Sequence, residues 1–276
     1  MSGRRRQTLA AASAVLSSVG LHSGADASVR LLPAPSGHGL VFRRQDGGQE
    51  LAALVSNVSD TSRCTRLGAS GWTVQTVEHV LSALAGLGVD DAVIEIDGSE
   101  APAMDGSASP FVRAILEAGL REQPQSVSPI TLAAPVYVSE RGSSIAALPS
   151  ETLSLAVVLD YPSHAYLGTQ AALLGGLSGY EAQIAPARTY GFLSEIEALR
   201  AAGLGLGASV DNAVVLGETQ YETPLRFPNE MARHKLLDLI GDLALIGRPV
   251  SAAILAVKPS HTLNVRLARL LSELEL

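Results

Sequence analysis

Residues 233–247 read RHKLLDLIGDLALIG, and this stretch decides how the C-terminal part of the chain folds. Apolar residues fill most of its positions, which predicts a long buried helix over about 229–246. His234, Asp238 and Asp242 recur at intervals of four and therefore share one side of that helix. Ionisable groups in apolar surroundings are costly unless they pair or bind a metal. The stripe predicts a metal-binding site, and the alternative is an exposed face with a simple His–Asp contact.

A second candidate segment, TVEH at 76–79, opens a predicted amphipathic helix. Glu78 and His79 there could merely reflect the preference of a carboxylate for the positive end of a helix dipole. The His-Glu-x-x-His motif of metalloproteases is absent from the sequence. Together with His234 and Asp238, however, His79 would complete three nitrogen and oxygen ligands, the usual number in catalytic zinc sites. Glu78 would then be a free carboxylate suited to general base catalysis.

A third segment, KPSHTLN at 258–264, places His261 in a predicted loop between a strand and a helix. A single histidine in a loop is usually just exposed. The same interpretation applies to His22, His38 and His164, less firmly for His22 and His164. The local pattern alone gives none of these four residues a function.

Composition restricts the class of protein. The chain has 276 residues, of which 47% are hydrophobic and 17% charged, as in ordinary globular proteins. Its net charge of −7 argues against a nucleic-acid binder but is compatible with a small anionic substrate held by a few cations. Cys64 is the single cysteine, so neither an internal disulfide nor a multi-cysteine zinc site can form.

The N-terminus admits two interpretations. Three arginines at 4–6 precede a mildly apolar run at 9–16, as in a signal peptide, but serines dilute that run. No stretch of the sequence approaches the roughly 20 apolar residues of a membrane span. We therefore expect a cytoplasmic protein without a stable membrane anchor.

The predicted elements alternate strands and helices in both halves of the chain. Strands are expected at 28–32, 39–43, 72–74, 92–96, 130–132, 136–138, 143–147, 153–159, 213–216 and 252–257. Helices are expected at 76–87, 111–120, 229–246 and 263–274. The polar stretch 121–128, which contains Pro124, is the best linker. We predict an α+β protein of two similar two-layer sandwich domains, 1–123 and 129–276.

Several stretches together resemble the UDP-3-O-acyl-N-acetylglucosamine deacetylases, a zinc-dependent family of early lipid A synthesis. The matching stretches are VGLHSG (19–24), TVEHVLSALAGLGVDDAVIEID (76–97), MDGSASPFV (104–112), ARTYGF (187–192), LRF (225–227), RHKLLDLIGDLALIG (233–247) and KPSHTLN (258–264). They span almost the whole chain in order. The resemblance implies two α+β sandwich domains that face each other, each with a small insert. The second insert would form the passage for the acyl chain, and we expect it at 161–179.

The resemblance also implies roles for individual residues. His79, His234 and Asp238 are the implied zinc ligands, and Glu78 is the implied base that activates the zinc-bound water. The other implied site residues are His261 as proton donor or oxyanion stabiliser, Asp242 as its partner, Thr189 as oxyanion donor, and Lys235, Phe192 and Lys258 as substrate contacts. The implied reaction hydrolyses the acetamide of acylated UDP-N-acetylglucosamine. The alternatives are a non-catalytic sugar-nucleotide or lipid-binding protein, or a zinc amidase with another acylated substrate.

The chain also departs from the usual pattern of that family. Tyr190 stands where a phenylalanine is usual, Val265 where a second asparagine is common, and Ala208 where a glycine is common. None of these departures removes an implied ligand or the implied base. They concern the nucleotide contacts and the choice of acyl chain.

Overall fold

The computed structural model describes residues 3–274. Its α-helices are α1 (Glu78–Gly86), α2 (Ser109–Ala118), α3 (Tyr180–Gln183), α4 (Ile196–Ala201), α5 (Glu230–Ala244) and α6 (His261–Glu273). The strands of the N-terminal half are β1 (Arg4–Leu9), β2 (Leu16–Val19), β3 (Asp26–Pro33), β4 (Leu40–Arg44), β5 (Glu50–Ala52), β6 (Val58–Asp60), β7 (Arg66–Ala69), β8 (Trp72–Gln75), β9 (Ala92–Asp97) and β10 (Leu120–Val127). The strands of the C-terminal half are β11 (Ile130–Thr131), β12 (Val136–Glu140), β13 (Ser143–Pro149), β14 (Ser154–Asp160), β15 (Thr169–Gly175), β16 (Tyr190–Phe192), β17 (Val214–Leu216) and β18 (Val250–Val257). Short 3₁₀ helices lie at Val55–Asn57 and Leu193–Glu195.

The two halves share one sheet topology. The N-terminal sheet has the order β2-β3-β9-β4-β5, and the C-terminal sheet has the order β12-β13-β18-β14-β15, with β11 also paired to β18. In each sheet the strand that comes last in the chain, β9 or β18, lies in the middle. It is antiparallel to β3 or β13, respectively, and parallel to β4 or β14. This repeat confirms the predicted α+β class with two similar halves, although no repeat is visible in the residues themselves.

Helices α1 and α5 bring the two halves together at the centre of the core. Helices α5 and α6 cover one face of the C-terminal sheet, whose strands alternate buried and exposed residues. On its other side α5 packs closely against α1. Gly241 makes this possible, because a Cβ atom there would lie 2.1 Å from the backbone oxygen of Glu78. The missing side chain therefore lets the first residue of α1 approach the last turn of α5.

Replacing Gly241 with alanine should destabilise the protein and displace Glu78. Because the backbone of Glu78 would have to move, we expect the free energy of unfolding to fall by about 1–3 kcal/mol. If Glu78 is the base that the resemblance implies, kcat should also fall at least about tenfold, since small displacements of a reacting group are costly. Denaturant titration and steady-state kinetics measure the two effects. Gly175→Ala is the matched control, because no atom of the described part of the chain lies within 4 Å of a Cβ there. Equal behaviour of the two variants would contradict this account of the helix contact.

Each half also carries a small insert. The first insert lies between β5 and α1, and the second lies between β15 and α5. The first insert is the three-stranded sheet β6-β7-β8. The second insert contains α4 between the parallel strands β16 and β17. Because the two halves share a topology, the inserts occupy equivalent places, and both reach the same cleft.

Some sequence-based expectations about elements were wrong. The predicted linker at 121–128 lies almost entirely within β10, which pairs antiparallel with β1. The segment 161–179 is not the second insert, since 169–175 forms β15, an edge strand of the main C-terminal sheet. His261 does not lie in a loop but is the first residue of α6, with Ser260 as the N-cap.

The division into domains 1–123 and 129–276 stays a prediction, and residues 1–2 and 275–276 of it lie outside the described range. Within residues 3–274, no helix has both the length and the apolar character that crossing a bilayer requires.

Candidate active site and metal centre

A cleft of about 750 Å³ opens between the two inserts. The loop after β6 contributes Thr61 and Arg63, and the second insert contributes apolar residues such as Leu199 and Val215. The floor of the cleft is made by residues from α1, α5 and the start of α6. The close contact of α1 and α5 therefore places charged residues of both halves at the bottom of one cleft.

The predicted ligands His79, His234 and Asp238 come together there, all three buried. One ligand atom from each lies within 4.8 Å of the others. His234 Nδ1 lies 3.1 Å from the carbonyl oxygen of Ala187, to which a protonated Nδ1 donates, and this leaves Nε2 free to bind a metal. Burial lowers the pKa of His79 to about 3, and burial also lowers the pKa of His234. Both imidazoles are therefore neutral near pH 7, as metal ligands must be.

Asp238 provides the strongest sign that these residues fit a metal ion. Its Oδ2 atom accepts a hydrogen bond from Lys235 Nζ at 2.8 Å, but its buried Oδ1 atom has no hydrogen-bond partner among residues 3–274. That oxygen lies 3.4 Å from His234 Nε2 and 3.9 Å from His79 Nε2. Buried carboxylate oxygens are normally paired, and a cation between these three atoms would satisfy all of them. Two imidazole nitrogens and a carboxylate are a typical donor set for catalytic zinc.

Glu78 lies beside this cluster without belonging to it. Its Oε2 atom accepts a hydrogen bond from the backbone N–H of Thr65, and its Oε1 atom lies 3.8 Å from His261 Nε2. Burial raises the pKa of Glu78 to about 7; the nearby carboxylates act in the same direction and His261 opposes them. A carboxylate with a pKa near 7 is well suited to accept a proton at neutral pH.

His261 faces carboxylates on both ring nitrogens. Its Nδ1 donates to Asp242 Oδ2 at 2.9 Å, and Asp242 also accepts from Thr65 and Asn264. Burial acts to lower the pKa of His261, but Asp242 and Glu78 outweigh it and raise the pKa to about 9. The imidazole is therefore a cation at neutral pH. Its Nε2–H group lies on the side of the cleft where Glu78 is.

Three of the four remaining predicted site residues line the cleft, and the fourth does not. Thr189 and Phe192 line the cleft, and so does Lys235. The backbone N–H of Thr189 donates to Gly106 at 2.8 Å, so the MDGS turn of the N-terminal half fixes its position. Lys258 is not among the residues that line the cleft, and its ammonium lies 3.8 Å from Asp160.

Sequence reasoning missed His22 and the carboxylate of Glu100, which holds its backbone in place. His22, interpreted as an ordinary histidine, is buried and lines the cleft. Its backbone N–H and that of Ser23 donate to the buried carboxylate of Glu100, which also accepts from Thr76 just before α1. The only sequence signal for His22 is that it belongs to the motif VGLHSG. Its partner Glu100 is 78 residues away, so no local pattern connects the two residues.

A buried His-His-Asp set with a free carboxylate and a His–Asp pair beside it defines a metal-dependent hydrolase. The sequence model of the LpxC family, UDP-3-O-acyl N-acetylglycosamine deacetylase, matches residues 6–273. The chain belongs to this family.

Individual relatives agree with that assignment. A UDP-3-O-acyl-N-acetylglucosamine deacetylase of Myxococcus xanthus is 42% identical over 93% of this chain and 83% of its own length. One from Leptospira biflexa is 41% identical over 93% of this chain and 86% of its own length. One from Trichormus variabilis is 42% identical over 91% of this chain and 92% of its own length.

Proposed function

We propose that this protein hydrolyses the acetamide of UDP-3-O-acyl-N-acetylglucosamine to UDP-3-O-acyl-glucosamine and acetate, the committed step of lipid A biosynthesis, in the cytoplasm. In this proposal His79, His234 and Asp238 hold one zinc ion. The unpartnered Oδ1 atom of buried Asp238, between two neutral imidazoles, is the observation that carries the proposal.

The first half of the reaction needs a nucleophile. A zinc ion held by His79, His234 and Asp238 would lower the pKa of a water molecule to about 7 and would polarise the amide carbonyl. Glu78 accepts the proton of the attacking water, because its carboxylate is held beside the ligands without being one of them. Burial, which raises its pKa to about 7, makes it basic enough for this role.

The second half needs a proton for the departing amine. As water oxygen bonds to the carbonyl carbon, the carbonyl oxygen gains negative charge, and the Thr189 hydroxyl and the His261 cation stabilise it. When the C–N bond breaks, the amine nitrogen takes a proton from His261 Nε2 or from Glu78. Asp242 holds the ring of His261 through Nδ1 and keeps it charged. A single oxyanion donor typically contributes about 3–4 kcal/mol to the transition state.

The cleft also suits an amphipathic substrate. Lys235 offers an ammonium to the polar part, and Phe192 offers a ring to the sugar or base. Ile196, Leu199 and Val215 of the second insert give an apolar wall for the acyl chain. The passage for that chain is thus assigned to the β16–α4–β17 insert in place of 161–179.

A non-catalytic binding protein would not require this arrangement of charges. Binding alone needs neither a buried carboxylate whose pKa is near 7 nor an imidazole cation between carboxylates. Burial opposes the charged form of Glu78, and the charge of His261 persists only because carboxylates surround it. The arrangement therefore favours an enzyme.

An acetate-release assay tests the proposal. Purified, zinc-loaded protein is incubated with the acylated UDP-sugar or with UDP-N-acetylglucosamine, and acetate and the free amine are quantified. We expect one acetate per amine and a much higher kcat/KM for the acylated substrate. Absence of acetate from both substrates would contradict the proposed function, and equal rates would contradict the role of the apolar wall.

The pH dependence provides a further prediction. His261 must be protonated, and its pKa is raised to about 9, so activity is lost as the pH rises through that value. Glu78 must be ionised, so activity is lost as the pH falls through its pKa, which the charge of bound zinc acts to lower from about 7. The profile of kcat/KM should be bell-shaped.

Asp242→Asn distinguishes the groups behind the two limbs. It removes the largest contribution that raises the pKa of His261, so the basic limb should move to lower pH and the maximum should fall. The acidic limb should move less, because burial is the main cause of the shift in Glu78. A basic limb that does not move in the variant would show that another group titrates there and would remove His261 from the role of acid.

A further inference from the structure

Two tyrosines form a hydroxyl pair in the wall of the cleft. Tyr161 follows β14 and Tyr190 begins β16, and their hydroxyl oxygens lie 2.8 Å apart. Both residues line the cleft, close to the metal ligands, since the rings of Tyr190 and His234 are 6.2 Å apart. The pair is therefore a polar feature in a wall that also holds the ring of Phe192, whose centre lies 5.8 Å from that of Tyr161.

The pair has two hydroxyl protons but makes a single hydrogen bond between its two oxygens. Burial raises the pKa of both Tyr161 and Tyr190, so both hydroxyls keep their protons at working pH. One proton is used in the bond between the two oxygens. Across the described range 3–274, neither hydroxyl has another protein partner. One O–H group is thus left to donate to whatever occupies the cleft.

The ammonium group of Lys235 adds further hydrogen-bond donors to this wall of the cleft. The ammonium of Lys235 lies 5.7 Å from the centre of the Tyr190 ring. One of its three N–H groups is engaged by Asp238 Oδ2 at 2.8 Å. Because Asp238 is already paired with Lys235 on one side and faces the ligand histidines on the other, a group bound beside the tyrosines must bring its own acceptor.

We infer that the Tyr161–Tyr190 pair determines specificity by donating a hydrogen bond to an oxygen of the sugar-diphosphate part of the substrate. The identity of the substrate rests on the proposed function, whereas the free donor rests on the geometry of the cleft. A bound substrate excludes water from this wall, and a buried donor without an acceptor is unfavourable. The pair therefore selects ligands that place an oxygen against it and rejects those that place an apolar group there.

The double variant Tyr161→Phe/Tyr190→Phe tests the inference. It removes both hydroxyls and keeps the rings, so packing is preserved. Loss of one neutral hydrogen bond weakens binding roughly 2- to 13-fold. We expect KM for the acylated substrate to rise within that range, with kcat changed less than about twofold and zinc content unchanged. Each single variant retains one hydroxyl and should raise KM less than the double variant does.

Binding of UDP and of UDP-N-acetylglucosamine, measured by calorimetry, locates the acceptor. Equal weakening of both ligands in the double variant places it in the nucleoside diphosphate, and weakening of the sugar nucleotide alone places it in the sugar. Tyr166→Phe is the matched control, because its hydroxyl donates to Gly217 at 2.7 Å and does not line the cleft. It should leave KM and both affinities unchanged.

One result would overturn the inference. If the double variant lowers the melting temperature but leaves KM and both affinities as in the parent, the pair is only a structural contact. These affinities need no turnover. A failure of the proposed reaction, seen as absence of acetate release from the parent protein, is therefore distinguishable from a failure of the donor site.

Discussion

Glu78→Ala should retain zinc at the level of the parent protein and lose most of its turnover. The carboxylate is close to the ligand cluster but is not one of its three members. A positioned general base typically contributes about 10²–10⁴-fold to the rate, so kcat should fall by a factor in that range while KM changes little. Metal analysis and acetate release on the same sample measure both quantities.

Two comparisons sharpen that experiment. Glu95→Ala is the matched control, because Glu95 lies in β9, pairs with Arg43 and does not line the cleft. It should leave kcat unchanged. If Glu78→Ala loses zinc together with activity, Glu78 is a ligand and its assignment as the base is wrong.

His79→Ala and His234→Ala should each lose metal and activity together. Two of three protein ligands remain in either variant, which is fewer than catalytic zinc sites normally use. We expect zinc well below one per chain after dialysis and acetate release near the background rate. Metal content determined by mass spectrometry measures the first effect.

His38→Ala is a suitable control for the ligand variants, since His38 does not line the cleft. The thermal stability of all variants in the absence of zinc should also be compared, so that loss of metal is not confused with unfolding. Stoichiometric zinc in the His79→Ala/His234→Ala double variant would exclude this metal centre.

The sequence predicted the part of the site that lies on helices. Residues four apart in a helix share a face, so the stripe on α5 was readable without a structure. The apolar residues around it indicated burial, and His234 and Asp238 are indeed buried. Adding His79 required a contact between distant segments, and the α1–α5 packing supplies that contact.

Elements at the surface were harder to predict, for physical reasons. Strand β10 is mostly exposed, and within the described range 3–274 it pairs with β1 alone. It therefore lacks the alternation that marks a half-buried strand, and Pro124 is tolerated within it. Strand β15 does alternate, but its exposed face carries Leu173, which made 161–179 resemble an apolar insert. The structure of both segments is determined by pairing with another strand, β1 for β10 and β14 for β15, which the local sequence does not reveal.

Other parts of the site could not be predicted because they depend on contacts between residues that are distant in the sequence. The carboxylate of Glu100 binds backbone N–H groups 77 and 78 residues away, and no local pattern reports such a contact. The paired hydroxyls of Tyr161 and Tyr190 are separated by 29 residues. The topology that the two halves share is likewise a property of strand pairing and leaves no trace in the residues.

The central claim is that one zinc ion, held by His79, His234 and Asp238, is required for deacetylation. The most direct measurement titrates zinc into metal-free protein and follows acetate release from the acylated UDP-sugar. Activity should rise in proportion to zinc, reach its maximum at one ion per chain, and disappear when a chelator is added. Full activity in the metal-free protein, or one bound zinc per chain without acetate release, would contradict the claim.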